Sequence, residues 1–171
     1  MTQPQLLQMN LNPADVVYTP DDVARDVVNF FKPTGRILEP SCGEGAFLKY
    51  LPPDTEWCEI ERGRDFFAEH RHFDWIVGNP PFSIFTDWLT HSFELADNVV
   101  YVMMPHTLFN SVGRLKKIDE FGGIKAMRIY GTGSQVKLFD GGFLVGAICF
   151  QRGYKGGTFI TFRDSLGVSS I

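Results

Sequence analysis

Phe73-Asp74-Trp75-Ile76-Val77-Gly78-Asn79-Pro80-Pro81-Phe82 is the stretch on which the fold turns. Residues 73–78 form a short, bounded apolar run of the kind that makes a buried strand. The run leads directly into an amide, two prolines and an aromatic ring. Consecutive prolines remove two backbone donors and stiffen the chain, so the carbonyls and the Asn79 side chain stay pointed off the strand's carboxyl end. In an open α/β sheet that edge is where ligands bind. The plainer alternative is a rigid strand-to-helix turn in which Asn79 caps a helix beginning at Ser83.

Working upstream, residues 36–39 read as another short buried strand, followed by Glu39-Pro40-Ser41-Cys42-Gly43-Glu44-Gly45 and an expected helix over 46–51. Gly43 and Gly45 remove side chains where a ligand touches backbone, or simply make a tight turn. Their spacing is not the G-x-G-x-x-G of dinucleotide enzymes. Residues 55–61 are expected as a second strand, with Glu59 or Glu61 late in it, where a carboxylate accepts both hydroxyls of a ribose. Asp65-Phe66 then offers an acceptor for an adenine amine and a ring for its face. In this order the residues describe an adenosine pocket. Further upstream, residues 20–31 predict a helix, with Thr19 as cap, Pro20 at the first position, Asp21 and Asp22 at the positive end, and Val23, Val27, Phe30 and Phe31 on the apolar side.

Downstream, residues 83–96 predict a helix with Phe85, Trp88, Leu89 and Phe93 on one side, and 99–103 a continuous apolar strand. Three further strands are expected at 124–130, 142–151 and 158–163, the last two separated by a Gly-rich turn. The sheet is expected to close with an antiparallel hairpin. Strands alternating with helical patterns indicate an α/β sheet.

The 171 residues suit one domain with a full core, and the 44% hydrophobic and 21% charged shares are those of a globular protein. No apolar run approaches a membrane span, and residues 1–10 do not read as a secretory signal, so the expected location is the cytoplasm. Three cysteines without a C-x-x-C pair, and four histidines without ligand spacing, suggest neither disulfides nor a metal. The net charge of −4 is unevenly spread: 7 basic and 16 acidic side chains lie in residues 1–111, against 9 and 4 from 112 onward. The basic half either meets phosphates or solvates outer faces.

An exocyclic base amine is a poor nucleophile because its lone pair is delocalised into the ring. An amide oxygen and a proline carbonyl accepting its two hydrogens favour the pyramidal, nucleophilic form, which is the chemistry that Asn79 and Pro80 suit. Phe82 would stack on the base once that base has left any duplex.

These motifs resemble the class I S-adenosylmethionine-dependent methyltransferases, specifically the amino-methylating branch with N-P-P-F/Y or D-P-P-Y. The similarity runs from Tyr18 to about Arg152. It implies a Rossmann-like, mostly parallel seven-stranded α/β sheet with a C-terminal antiparallel hairpin, and S-adenosylmethionine as cofactor. Tyr18-Thr19-Pro20 resembles the element that contacts the cofactor's methionine end, and Glu39-Pro40-Ser41-Cys42-Gly43-Glu44-Gly45 the cofactor loop. Glu59-Ile60 falls where the family holds the ribose, and Asp65-Phe66 where it holds the cofactor adenine. By the same resemblance Asn79-Pro80-Pro81-Phe82 is catalytic, and Phe139 is similar to an aromatic that helps hold the target base.

The motif order resembles the gamma arrangement of adenine-N6 DNA methyltransferases. The family typically has a helix between the second and third strands, whereas only Arg62-Gly63-Arg64 separates Glu61 from Asp65. The usual carboxyl-terminal target-recognition domain has no counterpart in these 171 residues. The resemblance therefore implies a minimal form that recognises DNA through loops such as 105–113 and 130–142, or with a partner chain, or one whose substrate is RNA or single-stranded. An RNA adenine methyltransferase, a protein glutamine methyltransferase and a catalytically silent binding subunit are the alternatives.

Overall fold

The computed structural model describes residues 17–163. Seven strands form one sheet in the order β2-β1-β3-β4-β6-β5-β7. They are β1 (Ile37–Glu39), β2 (Glu56–Trp57), β3 (Phe73–Gly78), β4 (Ala96–Met103), β5 (Gly122–Thr132), β6 (Leu144–Arg152) and β7 (Phe159–Phe162). Parallel pairing joins β2 to β1, β1 to β3, β3 to β4 and β5 to β7, while β6 runs antiparallel between β4 and β5. The sheet is therefore mostly parallel with an antiparallel pair, as expected. β6 makes both antiparallel pairings, with β4 and with β5; the Gly-rich turn after β6 carries the chain across to the far side of β5, where β7 lies parallel.

Side-chain alternation builds a core on each face. Val99, Tyr101 and Met103 of β4 join Ile148 and Phe150 of β6 in one cluster. This face is covered by α2 (Phe85–Leu95), α3 (His106–Phe109) and α4 (Val112–Phe121), which bring Trp88, Leu108 and Ile118. Val100 and Val102 meet Val145 and Ala147 on the opposite face, under α1 (Asp21–Phe31) and α5 (Gly133–Val136). Each fully buried Leu, Ile, Val or Phe side chain contributes roughly 1.5–3 kcal/mol. Among the described strands the pattern fails at Leu144, the first residue of β6, and along β7, where Phe159, Ile160 and Phe162 remain exposed on an edge.

Several local expectations need correction. Thr19 does not cap α1; Pro20 occupies the cap position, and its carbonyl accepts the amides of Val23 and Ala24 at 3.1 and 3.0 Å. The first turn is fastened from outside instead, because Asp21 accepts from Lys49 at 2.5 Å and from Tyr50 at 2.6 Å. Residues 46–51 form successive turns rather than a helix. The second strand is two residues long, and Ile60–Arg62 curls into a 3-10 turn because the Glu59 side chain accepts the Glu61 amide. A second such turn, Phe66–Ala68, is capped by Asp65. No α-helix lies between β2 and β3, in keeping with the missing helix read from the sequence. Residues 82–84 form a 3-10 turn before α2 begins at Phe85.

Candidate functional site

Register fixes the site. Leu38 of β1 pairs with Ile76 of β3, and Gly78 pairs with Tyr101 of β4, so the turns after β1 and β3 leave the sheet side by side. Ser41 ties the two together by donating its hydroxyl to the Asn79 carbonyl at 2.9 Å. Gly78 makes the approach possible, because a Cβ there would lie 2.8 Å from Glu39 Oε1 and 3.2 Å from Pro40.

The first turn has left-handed backbone at Gly43 (φ 50°) and Gly45 (φ 85°), a conformation glycine adopts without steric cost. The exposed Tyr18 ring leans over Gly43, at 3.6 Å from the position a Cβ would take. Of the two candidate acids, Glu59 reaches this turn: its Oε2 accepts the Gly43 amide at 2.7 Å. Arg62 closes the other side by donating to the Gly43 carbonyl at 2.9 Å. The curl at Ile60–Arg62 thus turns the strand end back onto the glycine turn.

A cavity of about 390 Å³ occupies this junction. It brings together Tyr18, Pro40, Ser41, Gly43, Glu59, Ile60, Asp65, Phe66, Asn79 and Pro81 of the expected residues. An adjoining depression of about 260 Å³ shares Tyr18, Ser41, Gly43 and Asn79, and adds Thr19, Glu39, Cys42 and Gly45. Pro20, Pro80, Phe82 and Phe139 line neither. Pro80 is buried, and Phe82 packs against the α2-side core. Phe139 packs against the α1-side core with its ring over Gly133, whose Cβ would sit 2.3 Å from it. The sequence reading missed Val17, Arg62, Phe67, Ile84 and Trp88, all of which line the larger cavity. Trp88 read as one residue of an apolar helix side, and nothing in its spacing separates a core ring from a cavity wall.

Asn79 does not cap a helix. Its Nδ2 donates to the Val17 carbonyl at 3.1 Å, and its Oδ1 is buried without a hydrogen-bond partner. Leaving a buried acceptor unsatisfied costs about 1–3 kcal/mol, so the strand end holds an acceptor in reserve. Glu39 holds another. It is 1% exposed, its Oε1 accepts the Ser41 amide at 3.2 Å, and its Oε2 has no partner. Burial, aided by the nearby Glu59 charge, pushes its carboxyl up to about 8. Burial likewise raises Cys42 to about 11 and Cys58 and Cys149 to about 12, which keeps all three thiols protonated near neutrality. Among the described residues, no cluster of three or more His, Cys, Asp or Glu could hold a metal, and no helix is long and apolar enough to cross a membrane.

Five of the nine cations in the basic half are engaged within the protein, and Lys116, Lys117, Lys125 and Lys137 are exposed. Arg128 pairs with Asp26, Arg163 with Asp22, Arg152 with Asp97 and Lys155 with Asp119. Arg114 is bound to Thr86, Thr107 and Asn110.

No protein-family model and no curated protein sequence matches the chain. Solved structures do. A protein from Listeria monocytogenes, described as a class I S-adenosylmethionine-dependent methyltransferase, superposes with a TM-score of 0.64 at 12% identity over 87% of this chain and 66% of its own. The methyltransferase subunit of a type I restriction-modification system from Streptococcus thermophilus gives 0.60 at 12%, over 90% of this chain and 48% of its own. Magnesium protoporphyrin IX methyltransferase from Synechocystis, solved with bound S-adenosylmethionine, gives 0.56 at 11%, over 89% and 86%. The chain thus spans about half to two thirds of the length of the first two. The fold is the Rossmann-like sheet of the class I methyltransferases.

Proposed function

We propose that this chain is a methyltransferase domain over residues 1–171 that transfers the methyl group of S-adenosylmethionine to the exocyclic N6 amine of adenine in DNA. The observation that carries this reading is Asn79: its side-chain nitrogen is spent on Val17 and its backbone carbonyl on Ser41, which leaves the buried, partnerless Oδ1 of a cavity-lining residue to wait for a donor. An amine supplies that donor.

The pocket fits the cofactor on independent grounds. Its volume of about 390 Å³ lies within the roughly 300–1,000 Å³ of small-molecule sites. Glu59 would take the ribose hydroxyls, Asp65 would accept from the adenine amine, and the partnerless Oε2 of Glu39 would accept from the methionine ammonium. When bound, the cofactor supplies an activated methyl on a sulfonium centre. Asn79 Oδ1 and the Pro80 carbonyl would accept the two hydrogens of the target amine and free its lone pair for in-line attack on the methyl carbon; the N–CH3 bond would form as the S–CH3 bond breaks, the sulfur would leave as the neutral thioether, and the amine's surplus proton would pass to solvent. Holding the base would require the rings of Phe82 and Phe139, which pack here against the two cores, to turn toward it. The protonated thiols take no part. A nucleic-acid partner, DNA before RNA, a recognition subunit and a cytoplasmic location belong to the same reading.

Incubation with labelled S-adenosylmethionine and single-stranded DNA, duplex DNA or RNA, followed by nucleoside mass spectrometry, tests it. N6-methyladenine in DNA is the expected product. Label in RNA alone would move the substrate, and label on protein alone would replace the nucleic-acid reading.

A further inference from the structure

The same rim of the sheet carries rings that the site does not use. His106, the first residue of α3, stacks on Phe143, just before β6, with ring centroids 4.6 Å apart and 26° between planes. Phe143 is 59% exposed and His106 is exposed as well. Phe109, 57% exposed, follows His106 by three residues and so shares its side of the short helix. Exposed flat rings grouped on one rim offer faces on which another ring can stack.

Register puts this ledge on the same rim of the sheet as Asn79. Gly78 pairs with Tyr101 and Tyr101 with Ile148, so the carboxyl ends of β3 and β4 and the start of β6 share that rim. Two strand spacings, about 10 Å, separate β3 from β6 laterally, and Phe143, five residues before Ile148, stands about 16 Å farther out along the strands, within reach of flanking nucleotides rather than of the target base. The ledge is also held rigidly. Arg114 donates to the Thr107 carbonyl, to Asn110 Oδ1 at 2.9 Å and, through Nη2, to Thr86 Oγ1 at 2.9 Å. Thr86 is the second residue of α2, the helix that the Asn79-Pro80-Pro81-Phe82 turn leads into. The short helix bearing His106 and Phe109 is therefore fastened to the element that positions the catalytic turn.

We infer that Phe143, His106 and Phe109 form a stacking ledge for unpaired nucleotides flanking the target adenine, so that the preferred substrate is a single strand. The inference rests on the nucleic-acid reading above. A duplex hides its base faces, whereas an unpaired strand offers every face to a flat ring, and base–aromatic stacking needs no particular sequence. The carboxyl-half arginines and Lys155 are engaged within the protein, so phosphate contact is left to Lys116, Lys117, Lys125 and Lys137, and stacking supplies the rest of the grip.

Fluorescence anisotropy with one adenine-containing sequence, as single-stranded DNA, RNA and duplex DNA, tests the ledge. Wild-type protein is expected to bind the single strands at least about tenfold more tightly than the duplex. Stacking of about 1–3 kcal/mol per base predicts that Phe143→Ala weakens single-strand binding about 5- to 150-fold. Phe143→Trp restores it, and His106→Ala falls between. DNA and RNA arms show which backbone is preferred. Unchanged affinity in both alanine variants, tighter duplex binding, or no wild-type binding to any strand would overturn the ledge. Methyl transfer by wild type is followed in parallel: absent transfer with an intact Phe143 effect condemns the methylation reading alone, and transfer to adenine without a Phe143 effect condemns the ledge alone.

Discussion

At the residue scale, two of the buried atoms without partners, Asn79 Oδ1 and Glu39 Oε2, carry the proposed chemistry. Asn79→Ala removes the amine acceptor while leaving the cavity walls in place. Methyl transfer is expected to fall at least about 100-fold, the scale of losing one preorganised polar group, with cofactor affinity by calorimetry nearly unchanged. Full activity would refute the mechanism. Glu39 makes a different prediction. An unfolded glutamate ionises near 4.5, whereas burial holds the Glu39 proton to about 8. Between those values the folded state binds more protons than the unfolded one, so stability falls as pH rises through the window and the loss is complete above it. Glu39→Gln removes this term: the ligand-free variant should match wild type near pH 4 and melt at higher temperature near pH 9. An equal difference at both pH values would show that Glu39 is not the titrating group.

At the element scale, two contacts decide whether the strand ends meet. Gly78 lets β3 pass close to Glu39, and Gly78→Ala would drive a methyl group to 2.8 Å from Oε1. Overpacking of this kind costs about 1–3 kcal/mol. The variant should lose stability in urea and bind S-adenosylmethionine more weakly, because Glu39 and Pro40 must shift. Farther off, Asp26 clamps α1 to β5 through Arg128 at 3.0 Å and Tyr130 at 2.8 Å. Burial opposes the Asp26 charge, yet these bonds outweigh it and hold the carboxyl below its usual range. Asp26→Ala is expected to cost about 2 kcal/mol, as for hydrogen bonds to a charged group, while cofactor affinity in the folded fraction stays within twofold. A loss confined to cofactor binding would contradict a purely structural clamp.

At the scale of the whole molecule, charge placement predicts how the proposed nucleic-acid partner would be held. Lys116, Lys117, Lys125 and Lys137 are exposed, whereas the other cations of the carboxyl half lie in the ion pairs and hydrogen bonds above. Four lysines on a single strand give a log–log salt slope no steeper than about −3. Titrations between 50 and 200 mM salt measure it, and a slope near −6 would mean that phosphate contacts dominate. The sequence by itself determined the alternation of strands and helices, the four parallel strands that carry the glycine turn and Asn79-Pro80-Pro81-Phe82, and the residue types of an adenosine pocket. Those features are local: apolar periodicity, proline stiffness and glycine turns act within a few residues. Tertiary structure alone decided that β6 enters antiparallel between β4 and β5, that Glu59 rather than Glu61 meets Gly43, and that Val17 takes the Asn79 nitrogen from 62 residues away. It also seated Phe139 over Gly133 and left Phe143 stacked and open. These outcomes depend on which distant groups the sheet register brings within hydrogen-bond or ring-contact reach, and no spacing along the chain encodes that reach.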